Sequence, residues 1–297
     1  MSGPPPELYR SQPGDPRLPA GERGSRILAP LRVEGARGVA IAVVSTVVFF
    51  TLVVFAVLNS SGWPEIKEAF FDGEIFADAF PKIVEKFRRN VFIFMVAEGL
   101  VLVLALVLAV LRSLTGPVFF PLRLLATVYI DLFRAVPTVL VIALLGYGAP
   151  ALQLKGLPAS KVFWAILALT LVYSAYVAEV YRAGIESVHP SQVASARALG
   201  LGRRKTLRFV VVPQAVRRVL PPLLNDFIGL QKDSALVAFL GYVEGLRQAQ
   251  IIQSETFDFT PYVALALVYI VITIPQARFV DWLVARDRRR RQAAVGV

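Results

Sequence analysis

Uninterrupted apolar runs constrain this chain more than any other feature. From Gly38 to Leu58 it carries no charged residue. That stretch rises about 31 Å as a helix, enough to cross the hydrocarbon core of a bilayer. A signal peptide would have a shorter apolar region and a shorter leading arm. Further apolar runs are predicted as spans over 91–111, 122–145, 162–180, 219–241 and 261–282. Charged residues make up 18% of the 297-residue chain, against about 25% in an ordinary soluble domain. The expected fold class is an all-α membrane protein with six transmembrane helices.

Charge sets the expected orientation and excludes several functions. The chain has 32 basic and 21 acidic residues, a net charge of +11. In a membrane protein such an excess gathers on cytoplasmic loops. With the N-terminal arm placed inside, twenty basic residues fall on the inner side and eight on the outer. Both termini are therefore expected in the cytoplasm. The chain contains no cysteine and a single histidine, His189, so neither disulfides nor a histidine-based metal site is expected. Residues 1–37, rich in proline, glycine and arginine, read as a disordered cytoplasmic arm. Between the first two spans, Phe70, Phe71, Phe76, Phe80, Ile83 and Val84 suggest an amphipathic helix lying along the interface.

The longest interruption of the apolar pattern follows span four. From Tyr181 to Arg218 there are eight basic residues and one acid. Gln192–Leu199 favours helix, Pro190 and Ser191 can open it, and Gly200 can close it. The expected form is a short surface helix, a turn and a second helix. Small side chains on Ala194, Ser195, Ala196 and Ala198 let another surface approach closely. Gly200–Thr206 is not a phosphate-binding loop, because Arg204 stands where that loop needs glycine.

At these residues the chain resembles the binding-protein-dependent ABC transporter permeases. Their cytoplasmic signature is Glu-Ala-Ala, three residues, Gly, nine residues, then Ile-x-Leu-Pro. Here the triplet is Ala194-Ser195-Ala196, the glycine is Gly200, and Val210 and Val212 precede Pro213. The spacing is kept and the leading glutamate is replaced by Ala194. Leu230-Gln231-Lys232-Asp233-Ser234-Ala235-Leu236, Tyr176-Val177-Ala178-Glu179 and Phe133-Arg134-Ala135-Val136-Pro137 are similar to the subfamily that imports polar amino acids. The resemblance covers about residues 90–285. It leaves 38–89 as an extra helix with an external loop, and 286–297 as a basic cytoplasmic tail.

The resemblance implies a non-enzymatic permease subunit. Ala194, Ser195, Ala196, Arg197, Ala198, Leu199, Gly200, Leu201 and Pro213 would couple it to a separate cytoplasmic ATPase, which would bind ATP and Mg. An external substrate-binding protein and a second permease chain would complete the assembly. Arg203, Arg204, Lys205 and Arg208 would support contact with the ATPase or lipid head groups.

Charges inside the spans need partners or a water-filled cavity, since each costs about 2.5 kcal/mol or more at the bilayer centre. Asp131 and Arg134 lie three apart and can pair. Lys232 and Asp233 are expected to break span five beside Asn225, with Ser234 capping a new half-helix, and to offer an amino acid complementary charges. Glu98 and Glu179 read as lone acids near span ends. Two alternatives stay open: a secondary transporter with ion or proton sites at Asp131, Glu98 or Asp233, and a scaffold that carries nothing.

Overall fold

The computed structural model describes residues 36–153 and 155–295, helical nearly throughout, with no strand among the described residues. The chain divides into two units, residues 1–65 and 66–297. Residues 1–35 of the expected disordered arm lie outside the described residues.

The first unit holds helix α1 (Ala36–Leu58), whose candidate span, Gly38–Leu58, matches the expected one. Its side chains are exposed from Val39 onward. Even its few hydroxyls are satisfied locally: Ser45 and Thr46 both donate to the Ala42 carbonyl, at 3.0 and 2.7 Å. That suits a helix whose backbone meets lipid rather than water.

Helix α2 (Trp63–Phe70) precedes α3 (Gly73–Ser113), a continuous helix of 41 residues that organises the second unit. Asp72 caps α3 by accepting from the Glu74 and Ile75 amides, both at 2.8 Å. One buried stripe runs along it: Ala79, Ile83, Phe87, Asn90, Ile93, Phe94, Ala97, Val101, Ala105 and Leu108. Steps of three and four residues keep these on one face of a 3.6-residue helix. The interfacial helix expected within 59–90 is therefore not separate. Its apolar face is covered by protein, because Ala79, Ile83 and Phe87 pack with Ala249, Ile252, Ala264, Leu265 and Val268. The boundary expected between residues 89 and 90 falls inside α3.

After α3 come α4 (Phe120–Ala135) and α5 (Thr138–Ala143), the latter extended by a π turn over Leu144–Gly148 and a short turn to Ala151. The predicted third span, 122–145, is not one straight helix. Its two halves meet at 103°. Pro137 supplies no amide proton and pushes Val136 out of the helical region, where it sits at φ −94°, ψ 131°. Helix α6 (Lys161–Glu186) then runs antiparallel along α3 and carries much of the main core: Ala165, Ala168, Leu169, Val172, Tyr173, Ala175, Val177 and Ala178.

The basic segment folds as α7 (Pro190–Ala198) and α8 (Arg203–Thr206). A π turn over Leu207–Val211 leads into α9 (Val212–Asp233) and a 3-10 turn over Ser234–Leu240. The predicted break at Lys232–Ser234 is not there. The Ser234 hydroxyl donates back to the Gln231 carbonyl at 2.7 Å instead of capping a half-helix. The chain reverses later, at Gly241, whose φ of 72° suits a residue without Cβ. Glu244 then caps α10 (Gly245–Thr256), a helix inside what reads in the sequence as a loop. Gly241 and Gly245 thus serve a turn and a helix start rather than one helix face. Helix α11 (Thr260–Val295) ends the described chain and passes without interruption through the boundary expected at 285/286.

Four helices are long and apolar enough to cross a membrane, or five if the bent α4–α5 pair is one span. The predicted fifth span, 219–241, is not among them, because α9 carries Arg217, Arg218, Asp226, Lys232 and Asp233.

Two close contacts are open to test. Gly184 on α6 lies so near α9 that a Cβ there would stand 2.0 Å from the Val219 Cγ2. Gly184→Val is expected to destabilise the protein by about 1–3 kcal/mol, with Val219→Ala beside it recovering much of the loss. Asn90 donates to Glu244 at 2.6 Å and accepts from the Gly245 amide at 2.9 Å. Asn90→Ala leaves both partners unsatisfied and is expected to cost about 2 kcal/mol or more. Thermal unfolding of the detergent-solubilised protein measures both; an unchanged midpoint in either single variant contradicts the stated contact.

Candidate functional site

The segment between α6 and α9 presents a small exposed helix on a fixed base. His189 opens α7 by accepting from the Ser191 amide through Nδ1 at 3.2 Å, and Pro190 takes the first helical position. Gly200 closes the segment at φ 83°. Ala196 is buried against its own chain, and the Leu201 amide returns to its carbonyl at 3.1 Å. Ala194, Ser195, Arg197, Ala198, Leu199 and Gly200 are exposed; Leu201 is half-buried and Pro213 exposed. Leu199 is 83% exposed, an apolar side chain left without a partner inside the described residues. At the base, Arg218 on α9 donates to the Ser187 carbonyl at the end of α6.

Just inside that base lies a charge cluster that sequence reading missed. Glu179 is not a lone acid. Its carboxylate pairs with Arg112 from α3 and with Arg182 of its own helix at 2.8 Å, and Arg134 from α4 stands at 3.9 Å. Arg182 also pairs with Glu186 at 2.6 Å. One carboxylate therefore joins three helices. The predicted Asp131–Arg134 pair does not form: Arg134 turns toward Glu179 and over the Tyr176 ring, 5.8 Å from its centroid, while Asp131 is exposed.

Of the other predicted path residues, Asp233 is half-buried and accepts from the Tyr173 hydroxyl at 2.9 Å. Lys232 and Asn225 are exposed, so Lys232 and Asp233 do not face one place together. Ser234 is buried and receives the Asn90 amide at 3.4 Å. Glu98 is 9% exposed on α3, within electrostatic range of Asp226 and Tyr181.

Asp226 was not singled out in the sequence, yet its Oδ2 is buried without a hydrogen-bond partner. The same holds for Gln231 Oε1 on α9 and for Tyr269 OH, Thr273 Oγ1 and Gln276 Oε1 on α11. The last three repeat at helical spacing on one face of α11, and α9 packs against α11. Unpartnered buried oxygens gathered on two adjacent helices mark a polar seam inside an apolar bundle. The available signal was periodicity: Arg218, Pro222 and Asp226 lie at i, i+4 and i+8 on α9.

Two cavities flank these elements. One, of 370 Å³, is lined by apolar side chains such as Leu106, Val110, Ile185, Val216 and Leu220. The other, of 430 Å³, is lined by charges, among them Arg134, Glu179, Arg218 and Asp226. Among the described residues no group of three or more His, Cys, Asp or Glu stands ready to hold a metal ion.

Comparison with known proteins places this arrangement. Residues 102–289 match the family described as the binding-protein-dependent transport system inner membrane component. The probable glutamine ABC transporter permease protein GlnM of Bacillus subtilis is 34% identical over 215 residues, covering 71% of this chain and 96% of that relative. The arginine transport system permease protein ArtQ of the same organism is 31% identical over 195 residues, covering 65% and 87%. A solved structure described as an amino acid ABC transporter with histidines superimposes with a TM-score of 0.66 at 31% identity, over 72% of this chain and 98% of that one. The inward-facing MetNI methionine ABC transporter, at 17% identity and a TM-score of 0.51, shares the fold. With its apolar helices and a family match over most of its length, this chain belongs to the binding-protein-dependent transport system inner membrane component family, as a multi-pass protein of the bacterial plasma membrane.

Proposed function

We propose that this chain is the permease subunit of an ATP-driven ABC importer for polar amino acids. It forms the translocation path and carries no catalytic centre. ATP and Mg bind a separate cytoplasmic ATPase, a second permease chain completes the membrane part, and an external binding protein delivers the substrate. The chain crosses the membrane six times in this reading, with both termini in the cytoplasm. Two relatives are described as glutamine and arginine permease proteins, which supports the substrate class.

The observation that carries the reading is α7. A short helix exposed on all but one side stands between two buried helices, in the family's signature spacing from Ala194 through Gly200 to Pro213. Small residues give a partner close access, and Leu199 offers an apolar anchor at the helix end. Below it, the Glu179 cluster and the Arg218–Ser187 bond tie the base of α7 to α3, α4 and α9. A push on α7 is thus delivered to several helices at once. Replacing the family's glutamate by Ala194 removes one polar contact and leaves the helix formed.

The test is purification with the co-encoded ATPase and binding protein, reconstitution in lipid, and measurement of amino-acid-stimulated ATP hydrolysis and uptake. Leu199→Asp is expected to reduce both stimulated hydrolysis and ATPase co-elution by about tenfold or more. Lys82→Gln, in an exposed ion pair with Asp78, is expected to change neither. Uptake driven by an ion gradient with no ATPase co-purifying would instead select a secondary transporter. No uptake in the complete assembly would select a scaffold.

A further inference from the structure

The 430 Å³ cavity contains an imbalance that the fold leaves unresolved. It runs between α6 and α9, with Arg134 of α4 at its side. On α9 its wall is formed by Arg218, Pro222 and Asp226, which spans about 12 Å from end to end. On α6 its wall includes Tyr176, Glu179 and Gly184.

Each charge can be followed to its partner. Glu179 is already neutralised by Arg112 and Arg182, with the Arg134 guanidinium at the far limit of an ion pair, 3.9 Å away. Arg134 is therefore a surplus cation, 44% exposed and held in place by the Tyr176 ring. Arg218 spends a guanidinium nitrogen on the Ser187 carbonyl and not on an acid. Asp226 is the surplus anion, with Oδ2 buried and unpartnered. Among the described residues no ion pair joins Asp226 to Arg134 or to Arg218. A free cation and a free anion thus line one cavity without neutralising each other, in surroundings where an unpaired charge costs several kcal/mol.

We propose that this cavity is a binding site for the zwitterionic head of an α-amino acid, with the carboxylate against Arg134 and the ammonium against Asp226. The guanidinium presents a planar fork that fits a carboxylate through two hydrogen bonds, and Asp226 Oδ2 accepts from the ammonium. Gly184 keeps the neighbouring α6–α9 crossing tight. The Arg218 end of the cavity adjoins Ser187 and the base of α7, so the site lies on the side of the bundle that the ATPase acts on. Guest and coupling element share α6 and α9. The substrate class rests on the proposed function; the site itself stands on the charge arrangement.

The experiment uses the reconstituted complex of full-length chain, ATPase and binding protein, with the twenty common L-amino acids as probes for uptake and for direct binding to the complex without binding protein. The tightest binder is then compared with its decarboxylated and its deaminated counterparts. In the wild type, neither counterpart is expected to compete within about tenfold of the parent amino acid, because each leaves one buried charge unpaired. Arg134→Gln and Asp226→Asn are expected to weaken binding by about tenfold or more, and Asp226→Glu to retain most of it. Size-exclusion profiles report whether each variant folds, and the competition arm needs no variant. If either counterpart competes as well as the parent, or if folded Arg134→Gln and Asp226→Asn proteins bind as wild type does, the site is wrong while the importer reading survives. If the wild-type complex takes up none of the twenty, both readings fall.

Discussion

The second unit depends on what happens at Asn90. One helix, α3, contributes a single buried stripe to two cores that lie end to end along it. Below Asn90 the stripe meets α10 and α11; above it, it meets α4, α5, α6 and α9. Asn90 sits at the changeover, 1% exposed, and its amide reaches Glu244, Ser234 and the Gly245 backbone. These contacts fix where the chain leaves the end of α9 and where α10 begins. Glu244 is fully buried and is held by that amide and by two backbone N–H groups. A carboxylate in that position is tolerable only because each of its oxygens has a donor.

The same rule separates the remaining internal charges into two kinds. Glu179 is over-satisfied: three arginines from three helices converge on it, and the result is mechanical, a knot where α3, α4 and α6 meet. Asp226 and the oxygens of Gln231, Tyr269, Thr273 and Gln276 are under-satisfied, and they lie together on α9 and α11. In an apolar bundle the first kind holds helices together and the second kind leaves room for something polar between them. The bend at Pro137 contributes by bringing Arg134, at the end of α4, beside both.

Much of this was legible in the sequence and some was not. The uncharged run at 38–58 and the spacing from Ala194 to Pro213 depend only on local composition and distance along the chain, so α1, α7 and the start of α8 are found without knowing the fold. Pro137 announced a break, but its angle depends on what α5 packs against. Lys232 and Asp233 looked like a break because two charges interrupt an apolar run, whereas neighbours on a helix point about 100° apart. Asp233 could therefore meet Tyr173 while Lys232 stayed exposed, and the helix continued. Glu179 looked alone because its partners Arg112 and Arg134 are far away in sequence. Asp226 was hidden by the opposite problem, as one acid among polar neighbours with nothing local to mark it.

The π turn at Leu207–Val211 places one more residue in a turn than an α-helix would hold. Everything C-terminal to it is rotated by about 100° relative to an uninterrupted helix starting at Arg203. The number of residues in that turn, and not any side chain within it, therefore sets the azimuth of α9. It decides that Arg218 and Asp226 point toward α6 while Arg203, Arg204 and Lys205 remain exposed. Removing a single residue there would leave every contact inside α7 intact and swing both charges out of register with the cavity.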